Sequence, residues 1–269
     1  MKYKRYQIEI IEGYMMLFEY PKGKWNEISG LFDNHKYYEA LVKGTFNERF
    51  GTIYVNDLKN PSCAVLLYKM IVAFGGSGEC INIKEFFSLV PERAYLLCPN
   101  EKWITAVRNH FGERLTIINR TKVSSAKLNL DHFRKLKENI PEGYQIVQLT
   151  EELVDSFEGK FLQRYSYFYD TLEIFKKKGF GFCAIYRGEI VSVAASILPY
   201  YNSLFEVQID TLPEHQRKGL ATIVCTHLLE YSLENGFDPQ WDAFTPISTA
   251  LALKLGYTHP EPYQLLTLE

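Results

Sequence analysis

The chain has 269 residues, 46% of them apolar, which is enough to bury one large core or two small ones. Its formal charge of −2 gives no global basic field, so no nucleic-acid or membrane partner is expected. Five cysteines (Cys63, Cys80, Cys98, Cys183, Cys225) are odd in number, scattered, and form no C-x-x-C pair, so neither a disulfide framework nor a metal site is indicated.

The N-terminus carries basic residues, but Glu9 and Glu12 interrupt its apolar run, unlike a signal peptide. No uncharged stretch reaches membrane-spanning length, and a cytoplasmic soluble protein is expected. In chain order, 51–56 and 63–70 read as strands joined through Asn60-Pro61. Gly75-Gly76-Ser77-Gly78 lacks a following lysine and a strand-to-helix context, and reads as a flexible turn, not a phosphate cradle. Residues 94–98 read as a strand, 101–110 as a helix ended by Gly112, and 114–118 as another strand. The polar stretch 119–139, with Leu130, Phe133 and Leu136 at amphipathic spacing, reads as a bridge. The expected organisation is an N-terminal α/β domain over 1–125, a linker over 126–140 and a second domain over 141–269.

The second half alternates more regularly. Residues 144–149 form a strand, and Thr150 caps a helix begun by Glu151-Glu152. A single helix is expected over about 163–178, stopped at Gly179. The aromatic cluster Phe161, Tyr165, Tyr167, Phe168 and Tyr169 reads as core packing in preference to a pocket wall. Residues 182–186 and 190–198 make a hairpin around Arg187-Gly188. Then come a strand at 204–211 stopped by Pro213, a helix from Leu220 to Asn235, a strand at 240–244, a helix at 248–255 closed by Gly256, and a strand at 263–268.

The segment Gln216-Arg217-Lys218-Gly219-Leu220-Ala221 joins the 204–211 strand to the long helix. First-turn amides of a helix have no intrahelical acceptor and sit at its electropositive end, so an anion fits there. Gly219 and Ala221 keep the approach open, and Arg217 and Lys218 add charge suited to a pyrophosphate. This loop resembles the Q/R-x-x-G-x-G/A acetyl-coenzyme A loop of the GNAT superfamily of N-acetyltransferases. The order β-α-α-β-β-β-α-β-α-β matches that fold over the last half: an α/β (α+β) mixed sheet flanked by helices. The preceding β-α-β at 94–118 echoes its last three elements, as in a smaller, degenerate GNAT-like half.

The runs Glu206–Thr211, Lys218–Thr222, Trp241–Ala243, Ser248 and Ala252–Tyr257 resemble the branch that includes the zwittermicin-resistance acetyltransferase. The resemblance implies acetyl-CoA as co-substrate. Its pantetheine arm would lie on backbone groups of Ile209 and Thr211, and its pyrophosphate on Gln216, Arg217, Lys218, Gly219, Leu220, Ala221 and Thr222, with Ser248 beside them. The chain departs from the family pattern at Ala252, where many members carry a proton-donating tyrosine, and at Thr245, where many carry asparagine.

Acetyl transfer needs a neutral amine, so a carboxylate that accepts a proton is sought. Glu206 ranks first as base and Asp242 second; Asp210 shares the Glu206 face of its strand. Each also has an ordinary reading, as rim, cap or strand-end hydrogen bonder. Tyr257 and Cys225 read as core, and His215 as surface. The expected activity is direct transfer of an acetyl group to an amine of a small molecule in a ternary complex. A peptide or protein N-acetyltransferase and a non-catalytic acyl-CoA module are the alternatives. The N-terminal half is expected to supply walls or a homodimer surface but no second donor site.

Overall fold

The computed structural model describes residues 17–137 and 140–269, so the run around Glu9 and Glu12 lies outside the described residues. Contacts divide the chain into two compact units. The first takes the described residues up to Lys36, then Arg49–Thr116 and Leu266–Glu269; the second takes Tyr37–Glu48 and Ile117–Leu265. Neither is continuous in sequence, so the contacts do not divide at 125 and 140.

The first unit begins with β1 (Phe18–Glu19). Helix α1 (Glu39–Asn47) follows in sequence but belongs to the second unit. The first unit continues with β2 (Thr52–Val55), β3 (Cys63–Tyr68), β4 (Ile71–Gly76), α2 (Ile83–Ser88), β5 (Ala94–Leu97) and α3 (Glu101–Phe111). Strand β4 is a correction. Its turn, Lys69-Met70, carries no glycine or proline, so β3 and β4 read as one apolar run; Lys69 turns the chain with φ +53°. Gly75 and Gly76 therefore end a strand and are not part of a flexible turn. In α3, Asn100 caps the start and Trp103, Val107 and Phe111 recur at i, i+4, i+8, the stripe that helix packing requires. They join Val65, Val72, Phe74, Phe86 and Leu96 in one core.

The second unit takes most of β6 (Leu115–Ser124), then α4 (Leu130–Leu136), β7 (Tyr144–Gln148), α5 (Glu151–Asp155), α6 (Gly159–Phe168) and α7 (Leu172–Lys178). It continues with β8 (Gly181–Tyr186), β9 (Glu189–Ser196), β10 (Leu204–Thr211), α8 (Leu220–Glu234), β11 (Asp238–Ala243), α9 (Pro246–Lys254) and β12 (Thr258–Leu268) up to Leu265. Much of the expected bridge is structure: 119–124 continues β6, and Phe133 of α4 is fully buried in the same core as α8. The expected helix over 163–178 is two helices. Asp170, at φ +64°, breaks it, and the Thr171 hydroxyl accepts the Ile174 N–H at 3.2 Å to start α7. The aromatic cluster is core where it matters, with Tyr165 and Tyr169 at 0% exposure beside Phe157 and Phe175.

The two units repeat one strand pattern. The first unit's order is β1-β2-β3-β4-β5-β12, and only β4–β5 is parallel. The second unit's order is β7-β8-β9-β10-β11-β6, and only β10–β11 is parallel. The sixth strand is exchanged: Leu266–Leu268 close the β5 edge of the first unit, and 121–123 of β6 close the β11 edge of the second. The end of β12 thus returns to the first unit, and α1, set within the first unit's sequence, goes to the second, so neither unit is one stretch of sequence. Among the described residues no helix is long and apolar enough to cross a membrane.

Candidate active site

Strand β10 lies parallel to β11 only from Leu204↔Asp238 to Glu206↔Gln240, while it stays paired with β9 from Val207 to Thr211. The two parallel strands therefore part after Glu206 and leave a gap. The backbone hydrogen bonds fix which groups face it. Ile197 N–H donates to Glu206 O at 3.1 Å and Leu212 N–H to Val191 O at 2.9 Å, so even-numbered residues bond to β9. Antiparallel strands alternate, so the backbones of Ile209 and Thr211 turn to the gap. The Ile209 carbonyl accepts Gln208 Nε2 at 3.2 Å. The Thr211 carbonyl accepts Lys160 Nζ at 3.0 Å and Gln216 Nε2 at 3.2 Å. The N–H groups of the same two residues are thus the donors available to an added strand.

The end of the gap meets the start of α8. Gly219 is the N-cap, with φ +81°, ψ −4° and no side-chain cap. The first amide to enter the helix ladder is Ile223 N–H, which donates to Gly219 O at 3.2 Å, so the amides of Leu220, Ala221 and Thr222 have no helical acceptor. A Cβ at Gly219 would meet nothing within 4 Å, so what demands glycine here is the left-handed backbone, and the space above it is open. Arg217 is also left-handed, at φ +59°. Gln216, Arg217, Lys218 and Gly219 are all exposed. An uncapped helix start with open space and two cations fits a diphosphate.

The acids sit on one face. Phe205, Val207 and Ile209 turn into the α8 core, so Glu206, Gln208 and Asp210 face the other way, the side on which α1 packs against β10. Asp242 is paired in register with Lys122 of β6. Lys122 Nζ lies 3.3 Å from Glu206 Oε2, and Arg120 Nε lies 2.7 Å from Asp242 Oδ2. The Tyr263 hydroxyl donates to Asp242 Oδ2 at 2.7 Å. Tyr263 in turn stacks on Tyr37 with ring centroids 4.2 Å apart and meets Tyr38 edge-on. Each acid keeps one buried oxygen without a hydrogen bond, Glu206 Oε1 and Asp242 Oδ1. Burial pushes the Glu206 carboxyl above the usual carboxylate range, with Lys122 opposing. Burial raises Asp242 too, against the pull of Arg120 and the Tyr263 hydroxyl. Among the described residues the Glu206 carboxylate pairs with Lys122, and the Asp242 carboxylate with both Arg120 and Tyr263.

The other expected positions are placed as follows. Asp210 is committed to Arg164 (2.6 Å) and Lys160 (3.4 Å). The Ser248 hydroxyl accepts the Trp241 indole N–H at 3.1 Å, in the first turn of α9 capped by Thr245. Ala252, Cys225 and Tyr257 are buried in the α8 core. The Tyr257 hydroxyl donates to Pro239 O at 3.0 Å, and burial pushes its phenol well above the ordinary value, so it offers no proton to the gap. Arg120, Lys122, Lys160 and Tyr263 escape sequence reasoning. Only strand register and packing bring them to the acids, and none sits in a motif.

Residues 29–266 match the model of the GNAT acetyltransferase family, and the chain belongs to that family. A protein of Bacillus subtilis (strain 168), described as the uncharacterized N-acetyltransferase YdfB, is 24% identical over 265 residues, covering 93% of this chain and 98% of that one. Among solved structures, a GCN5-related N-acetyltransferase-like protein from Streptococcus suis 89/1591 is 23% identical, with a TM-score of 0.75 and coverage of 92% and 99% of the two chains. A tandem GNAT protein from the clavulanic acid biosynthesis pathway is 14% identical, with a TM-score of 0.61 and coverage of 94% and 97%. These structures share the fold.

Proposed function

We propose that the chain transfers an acetyl group from acetyl-CoA to an amine of a small molecule, with the donor in the gap between β10 and β11. The observation that carries this reading is the parting of those strands after Glu206↔Gln240, with the backbones of Ile209 and Thr211 turned to the gap and the uncapped start of α8 at its end. The residues fit the donor: strand amides suit the pantetheine arm, and the amides of Leu220, Ala221 and Thr222 with Arg217 and Lys218 suit the diphosphate. Bound acetyl-CoA supplies the thioester that an amine attacks.

Glu206 is the better base. Its Oε1 is unpartnered, and its raised proton affinity makes it a stronger acceptor at neutral pH than an ordinary glutamate. Asp242, clamped by Arg120 and Tyr263, suits binding of the cationic acceptor and shaping of its charge. Helix α1 and the Tyr37–Tyr263 stack cover this face, which favours a small acceptor over a long peptide. The resemblance to the zwittermicin-resistance branch supports the same choice of acceptor class. Ala252 brings no proton donor, so the leaving thiolate takes its proton from solvent.

The test is release of the coenzyme A thiol across a panel of small amines. Release that depends on the amine and saturates with it is expected. Acetyl-CoA binding without amine-dependent release from any amine would replace this reading with a non-catalytic acyl-CoA module.

A further inference from the structure

The donor loop contains a residue in a costly conformation. Arg217 is a non-glycine side chain at φ +59°, and such a backbone persists only where its surroundings over-determine it. The loop's own bonds account for only part of this: His215 N–H donates to Leu212 O at 3.0 Å and Gln216 N–H to Pro213 O at 3.2 Å, both before Arg217. What holds the chain on both sides of Arg217 is one hydroxyl from β7. Lys218 Nζ donates to the Tyr144 hydroxyl at 3.2 Å, and that hydroxyl lies 2.8 Å from His215 Nδ1. With the ammonium donating to its oxygen, the same hydroxyl bridges to His215 Nδ1, the direction of that second bond following the imidazole tautomer. Tyr144 is itself fixed, its ring 4.7 Å from that of Tyr186 on β8, and Tyr186 meets the His215 ring at 5.2 Å.

The geometry points to Tyr144 as a positioning residue for the donor: its hydroxyl staples His215 and Lys218 across the left-handed Arg217. The staple sets the loop so that the amides at the start of α8 and the Lys218 ammonium converge on one diphosphate. Tyr144 touches no reacting atom and acts through the loop. This inference rests on the donor site proposed above, and it adds a determinant of donor affinity that lies about seventy residues before the loop it sets.

Calorimetry with coenzyme A on Tyr144→Phe, Lys218→Met and the double variant tests it. Phenylalanine keeps the ring against Tyr186 and removes only the hydroxyl, so thermal unfolding stays near that of the unsubstituted protein. Coenzyme A affinity should fall about tenfold in Tyr144→Phe, as loss of one charge-assisted hydrogen bond gives. KM for acetyl-CoA should rise with it while turnover at saturating donor holds. The double variant should bind little worse than Lys218→Met alone, because one contact is lost in both. Unchanged affinity in Tyr144→Phe or additive losses in the double variant would overturn the staple and leave the donor site standing. Failure of the unsubstituted protein to bind coenzyme A would overturn both.

Discussion

The chain contains the same strand crossing twice, and only one of the two is open. In the first unit β4 lies parallel to β5 from Ile71↔Tyr95 to Ala73↔Leu97 and then leaves β5 while staying paired with β3 to Gly76, as β10 leaves β11 past Glu206. There the gap is filled. Asn100 Nδ2 donates to the Gly76 carbonyl at 3.0 Å while Asn100 Oδ1 caps α3, accepting the N–H groups of Lys102 and Trp103 at 3.1 Å each. Trp103 is fully buried, stacks on Phe74 at 4.5 Å, and lies 3.0 Å from where a Cβ on Gly78 would sit. In the second unit the corresponding helix, α9, has Thr245 as cap and Ser248 where α3 has Trp103. The helix after the open strand also differs: both starts lack a side-chain cap, but α8 has 15 residues and a glycine N-cap, whereas α2 has 6 and begins at Asn82. Backbone topology makes the gap in both units; side-chain volume at the cap of the next helix decides whether a ligand has room in it.

The change expected to break the comparison most completely is Gly219→Glu. It forces a side chain onto a φ of +81° and sets a carboxylate where the diphosphate belongs, so coenzyme A binding should vanish while circular dichroism stays native. Wild-type affinity by calorimetry would show that the open gap is not the donor site. Next is Glu206→Gln, which should cost on the order of a hundredfold in turnover, with little change in donor affinity and partial rescue at high pH. If Asp242→Asn loses turnover and Glu206→Gln does not, the two acids exchange roles.

Ser248→Trp transplants the plug of the first unit into the second. Binding of coenzyme A should weaken by roughly tenfold or more, the equivalent of about 1.4 kcal/mol. Ser248→Ala separates plugging from structure: it leaves the Trp241 indole N–H unpaired, costs about 1–3 kcal/mol of stability, and should spare the donor. The reverse exchange, Trp103→Ala, should destabilise the fold by about 3–5 kcal/mol in urea titration. Calorimetric stoichiometry should remain one coenzyme A per chain, because α2 offers no long helix start; a value of two would erase the distinction between the units.

The smallest effect is on stability against pH. Glu206 and Asp242 are held above their ordinary values by burial, so in that window the folded state binds more protons than the unfolded. Stability is therefore fullest below the ordinary carboxylate range and falls as pH rises through the raised values. Urea midpoints followed from mild acid to neutral pH should show that fall, and it should flatten in Glu206→Gln. An unchanged slope in that variant would mean Glu206 does not carry its share of the buried charge.

The proposed donor side could be read in the sequence because its geometry is local. A strand, a stop at Pro213, a glycine and an apolar helix follow one another in a single run, and backbone geometry alone turns that run into amides aimed at one place. The acids were named and ordered from the sequence, since alternation puts Glu206 on one face, but the contacts that bear on that order were not legible there. Their ranking depends on Lys122, Arg120 and Tyr263, which are brought to them by pairing of β6 with β11 and by packing of β12. The same holds for the units. Each half shows its own element order in sequence, yet the exchange of β6 and the end of β12 leaves no mark there, because any amphipathic strand satisfies an open sheet edge. Local order thus pointed to the loop proposed for the donor. Long-range pairing set the partners of each carboxylate, and with them the proposed choice of base, and Trp103 fills in the first unit the position that Ser248 takes in the second.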